Sequence, residues 1–240
     1  MEPIKILAAR ALDVLWPRRC FGCHCRLQGD GPYLYFCRRC VGDLDFPFAP
    51  TCSRCGQLRG GRSDCPCRNC ARNHFSFRSC RSLFEHSGLG RRIVHEIKYR
   101  QGRFLLPDLG RLCRIFFPQM GDGIFVPVPI HWRRRWQRGF NQSDWICQAL
   151  AREYGCPVRR LLWRRCHRRP QVGLGRADRQ RNVEGAFALI PNLFLKKIAK
   201  DVPIYLVDDV LTTGATLNEC AKVLARAGFS NVHARTLARG

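Results

Sequence analysis

Beyond about Phe75 the apolar positions alternate between the two periods of regular structure. Ser82–His86 reads as a strand, and Leu89–Tyr99 as a helix with Ile93, Val94 and Ile97 inward, ending before Gly102. Residues 107–117 form a second helix, and Gly123–Pro129 a buried strand whose Pro127 and Pro129 take the backbone out of the sheet. Ser143–Tyr154 reads as a helix with Ser143 as N-cap and Trp145, Ile146, Ala149 and Leu150 on one face. Ile204–Val207 is a β-like apolar run. After a polar turn comes a helix with Leu217, Cys220, Val223, Leu224 and Ala227 on one face and Gly228 just past its end. Thr216 and Glu219 have the spacing of a capping box. Strands alternating with helices predict an α/β fold: a mostly parallel sheet with helices on both faces.

Composition adds a second component. The chain has 240 residues, 45% of them apolar, which permits one domain or a domain plus a small module. No apolar run is long enough to span a membrane, and no secretory h-region precedes a cleavage site, so a cytoplasmic protein is expected. Within residues 1–17, Pro3, Ile4, Leu7, Ala8, Ala11 and Leu15 outline a short amphipathic helix, expected to dock on the protein itself. Lys and Arg total 42 against 18 acids, a formal charge of +24. That excess favours a polyanionic partner: nucleic acid, a phosphate-rich ligand or an acidic protein.

Sixteen cysteines without a secretory signal point to metal rather than disulfides. Within residues 18–78, Cys20-x-x-Cys23 is followed by Cys37-x-x-Cys40, and Cys52-x-x-Cys55 by Cys67-x-x-Cys70. Each CxxC places two thiolates on one turn, and two such knuckles complete a tetrahedral Zn²⁺ site. The repeat predicts a double zinc ribbon with one or two structural ions, ahead of an α/β domain over 79–240. Pairing the first knuckle with the third remains an alternative, as do redox thiols, and Cys25 and Cys65 are spare thiols nearby.

The stretch with most chemistry is Ile204–Thr216. After the apolar run come Asp208 and Asp209, then Val210, Leu211, Thr212, Thr213, Gly214, Ala215 and Thr216, then a helix. A strand, a tight loop and a helix N-terminus form an anion site, because free backbone N–H groups and the positive end of the helix dipole face the ligand. Two carboxylates beside it would repel a phosphate unless they face sugar hydroxyls or a phosphate-bound Mg²⁺. The loop lacks the lysine of G-x-x-x-x-G-K-[ST], which excludes a P-loop NTPase signature.

Between His131 and Arg181 the chain carries fourteen Arg against three acids. Arg133, Arg134, Arg135, Trp136, Arg138 and Phe140 form its centre. Three readings compete: a single-stranded nucleic-acid surface of arginines and rings, an Arg-lined polyphosphate pocket, and a solvated charged loop. Residues 164–185 read as an excursion with the composition of a lid.

These motifs together resemble the ComF family, a zinc-binding N-terminus followed by a type I phosphoribosyltransferase-like domain. The residues that carry the resemblance are the CxxC knuckles, His95–Arg100, Val126-Pro127-Val128-Pro129, Arg138–Gln142, Gln171–Leu174, Arg179-x-x-Asn182-Val183-x-Gly185-Ala186-Phe187 and the stretch from Val207 to Thr216. The resemblance implies phosphoribosyl pyrophosphate (PRPP) with Mg²⁺ as ligand or substrate. Asp208 and Asp209 would hold the ribose and Val207–Thr216 would form the PRPP cradle, with phosphate on Thr212–Thr216. The segment after Val126, including Pro127 and Val128, would take pyrophosphate. Lys98 and Arg138 are candidates to neutralise it, and Arg176 and Arg179 to close a lid. The family is linked to DNA uptake in competent bacteria and to use of scavenged DNA. A non-catalytic protein that binds single-stranded DNA under PRPP control, and an adaptor docking a DNA-uptake helicase, are the alternatives. Type I relatives are often homodimers.

Overall fold

A computed structural model describes residues 17–27, 31–48, 50–59, 67–165, 183–191 and 197–240. The helix expected over 1–17, Cys65 and the lid residues Arg176 and Arg179 lie outside the described residues, except for Pro17.

Four strands form one parallel sheet: β1 (Ser79–Glu85), β2 (Ile124–Pro127), β5 (Ile204–Leu211) and β6 (Val232–Arg239), in the order β1-β6-β5-β2. A separate antiparallel pair joins β3 (Leu162–Arg164) to β4 (Phe187–Leu189). β5 is internal. Its Tyr205 and Val207 face one hydrophobic core, and its Ile204 and Leu206 the other. Burial on both faces is why this strand reads as an unbroken apolar run.

Seven α-helices follow from the periodicity or from capping: α1 (Arg38–Gly42), α2 (Arg68–Arg72), α3 (Gly88–Tyr99), α4 (Leu106–Phe116), α5 (Trp132–Arg138), α6 (Gln142–Tyr154) and α7 (Ala215–Arg226), counted among the described residues. α3, α4 and α6 bury Ile93, Val94, Ile97, Leu109, Leu112, Ile146 and Leu150 in the core beneath Tyr205. α7 buries Leu217, Cys220, Ala221 and Leu224 on the opposite face with Phe75 and Phe77. α6, in the connection that follows β2, and α7, after β5, thus lie on opposite faces, which opens a crevice at the carboxyl ends of these neighbouring strands.

The helix ends depart from the sequence reading. Asn141, not Ser143, caps α6, and its side chain accepts the Ser143 N–H at 3.2 Å. Gly214, with φ of +78°, is the N-cap of α7, so Thr216 already lies inside the first turn and no Thr216–Glu219 capping box forms. Glu219 instead accepts the Gly185 N–H at 3.0 Å and pairs with Lys222 at 3.3 Å. At the other end Gly228 N–H reaches Ala225 O and Phe229 N–H reaches Leu224 O, a Schellman closure on Gly228. α5 was not legible as a helix because it buries none of its residues and so shows no apolar stripe.

The cysteine-bearing segments pack on both cores. In the first, Phe21, Tyr35 and Phe36 sit against Phe104 and α3. Asp108 of α4, fully buried, accepts the N–H groups of Leu34 (2.8 Å) and Tyr35 (2.7 Å). Arg111 Nη1 donates to Pro32 O at 2.9 Å. In the second, Arg239 Nη1 donates to Cys55 O at 2.9 Å and Arg81 Nη1 to Cys52 O at 3.0 Å. Burial raises the Asp108 carboxyl pKa while its backbone donors pull it back. Replacing Asp108 with Ala orphans two part-buried N–H groups, so urea denaturation of Asp108→Ala is expected to show a loss of about 3 kcal/mol.

Candidate functional site

Asp208 and Asp209 occupy the second half of β5, where three other elements converge. Asp208 Oδ1 accepts the Ser143 hydroxyl at 3.1 Å, from the first turn of α6, and the Asp209 N–H at 3.0 Å. Asp209 Oδ1 pairs with the Lys98 ammonium of α3 at 3.2 Å. Asp209 is 5% exposed, and its second oxygen, Oδ2, has no hydrogen-bond partner. Burial, with the negative charge of Asp209, pushes the Asp208 carboxyl up to about 7, against the smaller opposing pull of its backbone donor and Lys98. The pair therefore carries stored demand for donors or a cation.

The loop after the acids turns into α7 on Gly214. A Cβ there would meet the Phe75 ring at 3.2 Å and would sit on a left-handed backbone, so both the space and the φ require glycine. The first helical bond is Asn218 N–H to Gly214 O, which leaves the N–H groups of residues 215–217 outside the helix ladder. The Ala215 N–H donates to the Thr213 hydroxyl at 3.3 Å. A cavity of about 300 Å³ lies against this turn, lined in part by His74, Phe75, Thr213, Ala215 and Lys222. The turn offers N–H donors and hydroxyls, while the Lys222 ammonium is paired with Glu219, which lines the cavity together with Glu184.

The carboxyl end of β2 forms the third wall. Val128 N–H bonds to Val207 O at 2.9 Å, and Asn141 Nδ2 donates to Val128 O at 3.1 Å. Asn141 thus ties the start of α6 to the strand end, and frees the Ser143 hydroxyl for Asp208. Arg138, at the end of α5, lies over the Tyr99 ring at 5.0 Å, next in sequence to Lys98. His86, just beyond β1, has its pKa lowered first by burial and then by Lys98 and Arg91.

Each cysteine group is formed from consecutive knuckles. Cys20, Cys23, Cys37 and Cys40 have their sulfurs within 4.8 Å of one another, as do Cys52, Cys55, Cys67 and Cys70. Sulfur separations of 3.7 Å (Cys23–Cys37), 3.8 Å (Cys52–Cys70) and 3.4 Å (Cys55–Cys67) match the edge of about 3.8 Å that a tetrahedron with Zn–S bonds of about 2.3 Å requires. Backbone N–H groups of Cys37 and Cys40 point at the sulfurs of Cys20 (3.3 Å) and Cys37 (3.4 Å), supporting thiolate charge. Both sets fit structural zinc. Cys25 stands outside the first set.

The structure brings together Asp208, Asp209 and Lys98, and places Pro127 and Val128 beside Val207. Ser143, Asn141 and His86 were missed as site residues. Ser143 carried a usable signal, since it begins a helix that must pack on the strand bearing the acids. Of the Arg-rich stretch, Trp132 and Trp136 are 63% and 84% exposed, whereas Phe140 is stacked on Trp145 at 3.8 Å and has one face occupied. Arg133 lies over the Trp132 ring at 5.3 Å. Arg133 and Arg135 are exposed and Arg134 is half-buried.

Fold and site define an α/β protein with an acidic pair and a tight turn into a helix N-terminus at the carboxyl end of its sheet, with two four-cysteine groups packed on its cores. Over 197 residues, 78% of this chain and 83% of the relative, it is 31% identical to the DNA utilization protein YhgH of Salmonella typhi. It is 38% identical over 115 residues to competence protein F of Haemophilus influenzae, covering 48% of this chain and 49% of that protein. It is 26% identical over 222 residues to competence protein ComFC of Bacillus subtilis, covering 89% and 86%. The chain belongs to this family, the ComF family. No family model matches it. Among solved structures, the glutamine phosphoribosylpyrophosphate amidotransferase of B. subtilis is similar at a TM-score of 0.40 and 16% identity, over 60% of this chain and 30% of that one.

Two measurements check the site. Metal analysis is expected to return two zinc ions per chain, with Cys37→Ser and Cys67→Ser each removing one. Separately, the Asp208 carboxyl is held higher in the folded chain than the ordinary value near 4, so the folded state binds more protons between about pH 4 and 7. Its contribution to stability is therefore present at low pH and lost as pH rises toward 7. The urea midpoint of Asp208→Asn relative to the native chain is expected to rise over that window and to level off above it.

Proposed function

We propose that this chain is a phosphoribosyltransferase-like protein that binds PRPP with Mg²⁺ in the crevice between β5 and β2. The carrying observation is the adjacent pair of carboxylates, Asp208 half-buried and Asp209 buried, just ahead of a helix N-terminus, with Asp209 Oδ2 left without a donor. A ribose supplies hydroxyl donors to Asp208 and Asp209, and its phosphate meets the N–H groups and hydroxyls of Thr212–Thr216. Pyrophosphate lies toward Pro127 and Val128, with Lys98 and Arg138 as the nearby cations. Mg²⁺ enters as the counter-ion of the pyrophosphate, and the unmatched Asp209 oxygen fits a hydrated divalent cation as well as a hydroxyl.

If the chain is an enzyme, the bond from C1 to pyrophosphate breaks and positive charge develops on the sugar ring. The residues then contribute positioning and charge compensation rather than strong acid–base chemistry. Shielding by Arg176 and Arg179 from the segment after β3 would exclude water. The names of the relatives support a role in DNA uptake or in use of scavenged DNA.

A second reading is favoured by one observation, the exposure of Trp132 and Trp136 on an Arg-rich helix. Rings and guanidinium groups on one surface suit single-stranded DNA, with PRPP as regulator and a helicase as partner.

PRPP affinity and pyrophosphate release, measured with a panel of bases, test the first reading. Asp208→Asn combined with Asp209→Asn is expected to weaken PRPP binding at least a hundredfold. Unchanged affinity would remove the acids from the site. Release that no base accelerates would leave the binding role and sink the transfer reaction. For the second reading, single-stranded DNA affinity should fall steeply with salt, and Arg133→Gln with Arg135→Gln should reduce that slope by about 2.

A further inference from the structure

A larger cavity, of about 470 Å³, lies at the other end of the sheet. It is lined by Ser79 and Arg81 of β1, Tyr205 of β5, His233 and Arg235 of β6, and the chain from Phe116 to Met120 after α4. These strand residues are at the amino ends, away from Asp208 and Asp209. Arg81 and Arg235 are register partners on adjacent strands, so both side chains leave the sheet on the same face, and both line the cavity. Like charges opposed in this way are destabilising.

Among the described residues no acid compensates them, although Arg81 Nη1 donates to the neutral carbonyls of Cys52 (3.0 Å), Ser53 (3.1 Å) and Cys80 (3.0 Å). No carboxylate lines the cavity, and no ion pair reaches Arg81 or Arg235. Arg235 Nε donates to the Met120 thioether at 3.2 Å, and its Nη1 to Ser79 Oγ at 3.2 Å and Ala234 O at 2.8 Å. Its guanidinium lies 5.4 Å from the Tyr205 ring centre and 5.8 Å from that of Phe117. Burial lowers the Arg235 pKa to about 10, with Arg81 adding a smaller push in the same direction. His233 is held neutral, its pKa lowered to about 4 by burial, Arg235 and Arg78, with Ser79 Oγ at 2.8 Å from Nδ1. The cluster is therefore a pair of cations with a hydroxyl and a neutral imidazole, in a partly apolar pocket that no carboxylate lines.

We propose that this cavity is a second ligand site, which binds a phosphate group through Arg81, Arg235 and Ser79. Two adjacent guanidiniums match the charge of a phosphate near neutral pH, close to two, and their forks match its oxygens. The rings of Phe116, Phe117 and Tyr205 and the volume admit an organic body as large as a nucleoside, within the range of ordinary ligand pockets. Free phosphate and a phosphate monoester are the two sources of that group.

The test titrates the full chain with inorganic phosphate and, separately, with adenosine monophosphate, and follows the side-chain resonances of His233 and Arg235 by NMR. Both are expected to move with at least one probe. Tighter binding of the nucleotide identifies a monoester as the ligand, and equal binding identifies the phosphate alone. Arg235→Met is expected to weaken the His233 response at least tenfold while PRPP affinity stays unchanged. Ser79→Asp places a carboxylate beside Arg235. It is expected to raise the Tm of the ligand-free chain and to abolish the response. Shifts confined to residues 212–216, no shift with either probe, or a Ser79→Asp chain with lowered Tm and undiminished phosphate response would overturn the proposal. None of these outcomes depends on whether PRPP binds at Asp208 and Asp209.

Discussion

Placing two adjacent carboxylates inside a folded chain is the constraint on which the rest of this structure depends. Each costs several kcal/mol to remove from water unless charge or hydrogen bonds replace the solvent. β5 alone supplies one backbone N–H, from Asp209 to its neighbour. The ammonium comes from Lys98 on α3 and the hydroxyl from Ser143 on α6. Those two helices are held by the core that also contains Ile97, Ile146 and Val207. Compensation stops one partner short, at Asp209 Oδ2, and the raised Asp208 pKa expresses the same deficit.

The second cysteine group has a bearing on that site. The segment leading out of it reaches α7 directly: the Asn218 side chain accepts the Ser76 N–H at 2.6 Å and donates to His74 O at 3.0 Å. Phe75 fills the space against Gly214, and stacks on Phe77 at 4.8 Å. Segments this rich in polar residues bury too little apolar surface to order themselves, so a bound metal would supply much of their stability. The start of α7 and the turn before it are thereby positioned partly by a segment about 140 residues away in sequence. The first group is anchored elsewhere, on α3 and α4 through Arg92, Arg111 and Asp108.

The positive charge is distributed rather than pooled. Arginines bridge the cysteine segments to the sheet, as Arg81 and Arg239 do by donating to backbone carbonyls. Others stack on rings, as Arg114 does on Tyr154 at 4.9 Å. A guanidinium can do both because its plane stacks while its edge donates. Part of the formal excess of +24 is therefore structural, and it cannot all be counted toward a polyanion partner.

The sequence by itself determined three of the four strands of the sheet, the longer helices between them, the four knuckles, and the order of acids, loop and helix from Ile204 to Thr216; β6 was not read from it. Each rests on local spacing: period in the elements, the two-residue gap of CxxC, and adjacency along one strand. It did not determine the helix caps. Ser143 and Thr216 satisfy the composition rule for a cap, yet Asn141 and Gly214 hold the cap geometry, because Asn141 also reaches Val128 and Gly214 must clear Phe75. α5, β3 and β4 were silent for a similar reason: α5 buries nothing, and the two short strands find each other across more than twenty residues. Knuckle pairing, the contact of Lys98 and Ser143 with the acids, and the meeting of Arg81 with Arg235 were decided only by tertiary structure. Each joins residues that spacing along the chain does not relate, so only the packing of the elements that carry them brings the charges together.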